Sequence, residues 1–239
     1  MKKILLCVTV LLVLWLAASY RSARQSELNE NLVADAYYGD LISVKNGLEE
    51  GADITFELYF HDQDRQYDDM LFNVLHAAAS SGNEDLINFL LEEGLDINYP
   101  TPDGWTPLFI AARDGQAEAA KLLIFRGADL NVQTDRGATA LLMALTQPYP
   151  SEKARQDLLI YMLKRGADPN LPDANGFSPL YYAATLKNAD AVELLLEYGA
   201  KADTTNLENI RARLTSQADN ASRRILPLLK KAGKNARTK

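Results

Sequence analysis

Two pairs of apolar residues, set two positions apart and followed two positions later by glycine, recur four times along the chain. Leu86-Ile87 and Leu90-Leu91 precede Gly94, and Ala119-Ala120 and Leu123-Ile124 precede Gly127. Leu158-Leu159 and Met162-Leu163 precede Gly166, and Ala191-Val192 and Leu195-Leu196 precede Gly199. Apolar residues at i, i+1, i+4 and i+5 form one stripe on a helix, and the glycine ends it in a left-handed cap. Gly94 to Gly127 and Gly166 to Gly199 each span 33 residues. A fixed period of that size predicts a solenoid of stacked units, whose usual product is an extended binding surface.

The unit is most legible between Asp103 and Gly127. Asp103-Gly104 predicts a turn, Thr106 a helix N-cap, and Pro107 the first helical position. The pattern predicts a short inner helix to Asp114, closed by Gly115, and an outer helix from Ala117 to Arg126, closed by Gly127. One helix pair cannot bury such a stripe alone, so each unit relies on its neighbours for half of its core.

These residues resemble the ankyrin repeat. Thr106-Pro107-Leu108-Phe109 with Ala111-Ala112, Ser178-Pro179-Leu180-Tyr181 with Ala183-Ala184, and Leu75-His76-Ala77-Ala78-Ala79 are similar to the family's opening phrase. Gly127-Ala128-Asp129-Leu130-Asn131 and Gly166-Ala167-Asp168-Pro169-Asn170 fit its closing phrase. The resemblance runs from about Leu32 to Ala202 and implies an all-α ankyrin repeat solenoid of about six helix-turn-helix units with finger turns. The units are expected near 28–54, 71–98, 103–131, 135–170, 173–203 and 204–233, with a basic tail at 234–239.

Several positions depart from that phrase. His76 alone keeps the family histidine, where Phe109, Leu142 and Tyr181 stand in other copies. Lys187 occupies the inner-helix glycine position, which implies either strain there or a left-handed Asn188. Gly51 to Gly94 spans 43 residues and Gly127 to Gly166 spans 39. The first excess is expected in a finger between units, and the second between the two helices of one unit, around Gln147-Pro148-Tyr149-Pro150. The first and last units are expected to act as caps. The last carries Ile225, Leu226 and Leu229 in register and Arg223, Arg224, Lys230 and Lys231 outside, before a frayed Gly233–Lys239 tail.

Ahead of the repeats, Lys2-Lys3 precede an apolar run from Ile4 to Ala18, and Arg21 and Arg24 follow it. This hydrophobic helix at 1–24 reads as a bacterial export signal, cleaved at Ala17-Ala18-Ser19, or as a membrane anchor through residues 4–20. Either outcome places the repeats in the cell envelope, anchored in the inner membrane facing the periplasm or free in the periplasm. Beyond Cys7 the chain has no cysteine, which suits export.

Composition narrows the chemistry. A formal net charge of -7 argues against a nucleic-acid partner. Two histidines, a single cysteine within the apolar run and the absence of a glycine-rich phosphate loop give no catalytic constellation, and no cofactor is expected. Asp62, Asp64, Asp68 and Asp69, beside His61, are weak metal candidates in the first insertion. They do not fit an EF-hand, because Tyr67 stands at the glycine position and Asn73 at the glutamate.

The ankyrin resemblance implies a protein partner on the concave side, at finger tips and inner helices. The residues of interface type there are Tyr99, Trp105, Arg113, Arg136, Asp173, Phe177 and Tyr182. Trp105 and Phe177 each follow a turn glycine, where the helix stripe does not need them. The alternatives left open are a periplasmic immunity protein that neutralises a toxin, and a calcium- or ligand-responsive module built on the acidic insertion.

Overall fold

The structure is a computed structural model describing residues 2–60, 70–201, 210, 214 and 219–235, with side chains over 15–59, 71–201, 210, 214 and 219–232. The chain forms two compact units, Met1–Ala78 and Ala79–Lys239.

In the first unit, α1 (Lys2–Tyr37) packs on α2 (Leu41–Glu49), burying Leu32, Val33 and Ala36 with Val44. No glycine or proline interrupts the sequence before Gly39. The polar stretch after the apolar run is rich in Ala, Arg, Gln, Glu and Leu, so helix carries straight through it. The boundary expected between residues 24 and 28 is therefore not a break in the backbone. Asp40 caps α2 by accepting from the Ile42 and Ser43 amides.

The first insertion adds an antiparallel hairpin to the all-α expectation. Strands β1 (Glu57–Phe60) and β2 (Met70–Asn73) pair Glu57 with Asn73 and Leu58 with Phe72. Residues 61–69, with His61 and the metal candidates Asp62, Asp64, Asp68 and Asp69, lie outside the described residues. Helix α3 (Val74–Ser81) follows β2 directly, and the Asn73 carboxamide accepts from the Leu75 and His76 amides. His76 is fully buried, accepts from the Asn73 amide at Nδ1 (3.3 Å) and stacks on Phe72.

In the second unit, short inner helices α5 (Pro107–Arg113), α7 (Ala140–Thr146) and α9 (Pro179–Thr185) pair with outer helices α6 (Ala117–Phe125), α8 (Glu152–Lys164) and α10 (Ala189–Glu197). Helix α4 (Glu84–Glu92) packs on α6. Thr106, Thr139 and Ser178 hydroxyls accept from the amides three residues on, as N-caps. Most of the paired apolar residues of the outer helices are buried, among them Leu86, Ile87, Leu123, Leu158, Val192 and Leu195, while Leu91 and Leu196 are half-buried.

Consecutive closing phrases are joined by asparagine. Asn98, Asn131 and Asn170 accept at Oδ1 from the Asp129, Asp168 and Lys201 amides, and Asn131 and Asn170 donate to the Gly166 and Gly199 carbonyls.

Three local expectations change. Lys187 itself takes the left-handed conformation, at φ 59°, while Asn188 is the ordinary N-cap of α10. The second insertion lies between α7 and α8 as expected, but part of it lengthens α8 to 13 residues against nine in α6 and α10. The final helix α11 (Asn220–Asn235) continues through Gly233 instead of fraying there, and packs on α10. Ile225 and Leu229 are buried, with Arg223, Arg224, Lys230 and Lys231 exposed. Among the described residues no helix is long and apolar enough to cross a membrane. The side chains of Ile4 to Leu14, most of the expected apolar segment, lie outside those described.

Candidate partner-binding site

Three fingers of the second unit close on themselves through the same backbone bond. Thr101 donates to the Trp105 carbonyl (2.9 Å), Thr134 to Ala138 (2.9 Å) and Asp173 to Phe177 (3.0 Å). Trp105, Ala138 and Phe177 are therefore equivalent posts in successive repeats. Adjacent tips are linked, the Asp135 amide donating to the Asp103 carbonyl and the Ala174 amide to the Arg136 carbonyl. The posts are thus held at fixed separations, which lowers the ordering cost of binding.

Around the first post, Trp105 meets Phe109 at 5.2 Å between ring centroids, and the Arg113 guanidinium lies over the indole at 4.9 Å. Arg113 is not on the open face where it was expected. Its side chain is 7% exposed and makes a bidentate pair with Asp114, through Nε (2.7 Å) and Nη2 (2.8 Å). Asp114 also accepts from the Ser80 hydroxyl. Arg113 therefore supports Trp105 from beneath.

Around the third post, Phe177 stacks on Tyr181 at 4.2 Å and 13°, with Tyr182 edge-on to it. The Tyr182 hydroxyl donates to Asp173 Oδ2 (2.7 Å), while Asp173 Oδ1 accepts from the Phe177 (2.8 Å) and Asn175 (3.0 Å) amides. Desolvation pushes the Asp173 carboxyl up, but the combined hydrogen bonds from Tyr182, Phe177 and Asn175 outweigh it and leave it below its ordinary value. Burial, then the bond to Asp173, lifts the Tyr182 phenol to about 12. Asp173 and Tyr182 thus brace the finger, and Phe177 is half-buried against them.

Tyr99 and Arg136 are exposed at neighbouring fingers. Of the seven residues singled out by sequence, the structure gathers Trp105 with Arg113, and Asp173 with Phe177 and Tyr182. Sequence reasoning missed Phe109, Asp114 and Tyr181 as their partners. Trp105–Phe109 and Phe177–Tyr181 are four apart, a spacing that could have revealed both pairs.

Elsewhere in this unit, a cleft of about 550 Å³ beside the helix–helix turns is lined by Glu152, Arg155, Lys187, Asp190 and Arg224. Its charges pair with one another or close by: Arg155 with Glu152, Arg224 with Asp190, and Lys187 with Asp219. The Lys187 ammonium holds the Asp219 carboxyl well below the usual carboxylate range. Among the described residues no cluster of His, Cys, Asp and Glu could hold a metal ion.

Capped helix pairs with linked finger tips, carrying braced aromatic posts, define a repeat-type binding module. The chain belongs to the ankyrin repeat family: residues 35–134 and 108–206 match the family described as "Ankyrin repeats (3 copies)". It is 31% identical over 179 residues to the Danio rerio "Neurogenic locus notch homolog protein 1", covering 73% of this chain and 7% of that protein. It is 48% identical over 40 residues to the Schizosaccharomyces pombe "Ankyrin repeat-containing protein P1E11.10", covering 17% of this chain and 19% of that one. The chain thus spans a small part of each relative. Repeats of this family generally mediate protein–protein interaction.

Proposed function

We propose that this chain is a noncatalytic scaffold that binds a protein partner through the finger tips of its second unit, with Trp105 and Phe177 as anchors. The observation that carries this reading is the equivalence of Trp105, Ala138 and Phe177. Two half-buried aromatic posts flank one small residue in a backbone ladder, a spacing suited to an apolar side chain seated over Ala138. Rigid aromatic groups lose little entropy on contact and dominate interface energetics. Tyr99 and Arg136 extend the surface with residues of the same class.

The scaffold works in the bacterial cell envelope, held by the apolar helix through residues 4–20. The support is the flanking of that run by Lys2-Lys3 and Arg21-Arg24, together with the exposure of Trp15, Leu16 and Tyr20 on α1. Aromatic residues next to basic ones suit a membrane interface.

The partner is tested by crosslinking the tagged full-length protein in its native cells, beside W105A and F177A variants, and identifying what copurifies. One stoichiometric protein, lost in both variants, is the expected result. Equal capture by all three proteins would overturn the assignment of these posts. Alkaline carbonate extraction with intact-mass measurement tests the anchor: an unprocessed chain retained in the pellet is expected, and a released chain processed at Ala17-Ala18-Ser19 would refute it.

A further inference from the structure

In the second unit Asn131 and Asn170 each do two jobs for the next repeat. Asn131 donates to the Gly166 carbonyl (3.2 Å) and accepts from the Asp168 amide (2.8 Å); Asn170 does the same with Gly199 (3.3 Å) and Lys201 (2.7 Å). In the first unit the same two backbone groups, the Gly51 carbonyl and the Asp53 amide, are met from a different direction. Gln25 Nε2 donates to the Gly51 carbonyl (2.8 Å), and Asn29 Oδ1 accepts from the Asp53 amide (2.7 Å). Both side chains stand on α1, one turn apart, and Gln25 Nε2 also donates to Asn29 Oδ1 (2.9 Å). Asn29 is 7% exposed, so its bonds are shielded from water. An unmatched amide there would carry the desolvation cost of a buried donor.

We propose that α1 is both anchor and end cap: Gln25 and Asn29 reproduce on one helix the bonds a preceding repeat would supply, and mount the lipid-facing segment on the first repeat without a linker. The anchor half rests on the envelope reading above; the cap half stands on these hydrogen bonds alone. Tyr20 and Asn29 are nine residues apart on continuous helix, a rise of about 14 Å. The repeat therefore sits within about that distance of the lipid interface and shares the orientation of the helix. The exposed Arg24–Glu50 pair (3.5 Å) adds little to this mount.

Hydrogen exchange read at single amides tests it, on the full-length protein in nanodiscs of phosphatidylethanolamine and phosphatidylglycerol. In the unaltered protein the amides of Arg21 to Leu28 should be protected as a helix, and so should that of Asp53. Asn29→Ala should speed Asp53 exchange by at least about tenfold, the loss of one shielded bond. Asn29→Asp, which keeps the acceptor, should return Asp53 to within a few-fold of the original. The Asp129 and Asp168 amides serve as internal references and should not move. An Asp53 rate unchanged in Asn29→Ala would overturn the cap, and coil-like exchange from Arg21 to Leu28 would overturn the mount. If Asn29→Ala exchanges everywhere, Asn29→Asp and the Arg21–Leu28 protection decide. A processed, soluble chain that still shows the Asp53 response would refute the anchor and leave the cap standing.

Discussion

At the residue scale, the site divides into posts and braces. Trp105 is half-buried and its indole is supported by Phe109 and Arg113, so truncation removes contact area without opening a closed core. We expect W105A to weaken partner binding by about 2 kcal/mol or more, roughly thirtyfold, while far-UV circular dichroism stays unchanged. A melted domain would instead make Trp105 a packing residue.

Asp173 and Tyr182 give the brace a pH signature. The folded Asp173 carboxyl lies below its ordinary value of 3.8, so its contribution is present above about pH 4 and is lost as pH falls through the folded value. The Tyr182 phenol is raised from 10.0 to about 12, so its contribution is present below pH 10 and lost between pH 10 and 12. Urea unfolding across pH should therefore show D173N flattening the acid limb and Y182F flattening the alkaline one. An unaltered pH dependence in both would refute the brace. Aromatic side chains at turn-glycine positions were legible as candidates from sequence, because no helix stripe demanded them. The depth of Arg113 is not legible in sequence, because its buried pair with Asp114 depends on folding and neighbouring charges do not reveal burial.

At the element scale, the repeat grammar explains most of the second unit. Thr106 caps as its sequence phrase implies, Thr139 and Ser178 cap in the same way, and most of each outer stripe is buried. What was not legible is how the second insertion is used. Its Tyr149 hydroxyl donates to the Ala112 carbonyl (2.7 Å), the Arg155 guanidinium lies 5.7 Å from the Tyr149 ring, and burial pushes the phenol up. The loop thus folds back over the Gly115 turn of the preceding repeat.

That arrangement separates two glycines with the same local role. Gly115 and Gly127 both have positive φ, 75° and 101°. A Cβ on Gly115 would stand 2.8 Å from the Pro148 carbonyl oxygen, whereas one on Gly127 meets nothing within 4 Å. Alanine at Gly127 should cost only the left-handed penalty of about 1–2 kcal/mol. Alanine at Gly115 should cost at least about 1 kcal/mol more, because backbone must shift. Chemical denaturation of the two variants measures the gap, and equal costs would mean that the insertion does not press on that turn.

At the scale of the whole molecule, stability depends on how repeats are joined, since each has only its neighbours to pack against. The 33-residue period told us that neighbours must meet, but period alone does not say through which polar groups. Asn98, Asn131 and Asn170 turned out to be the joints, and in the first unit Gln25 and Asn29, which belong to no repeat phrase, take the same part. Asn131 is the test case, because it both donates to Gly166 and accepts from Asp168. Its bonds are exposed, so Asn131→Ala should lower stability by only about 1 kcal/mol. The larger effect should be on cooperativity, because a nearest-neighbour chain splits where its weakest interface lies. In a Trp15→Phe background Trp105 is the sole indole and reports its own repeat, while circular dichroism reports all helices. The two urea transitions should coincide when Asn131 is present and separate when it is alanine, with the Trp105 signal moving apart from the helical average. Coincident transitions in the variant would show that apolar packing between the stripes joins these repeats without help from the asparagine ladder.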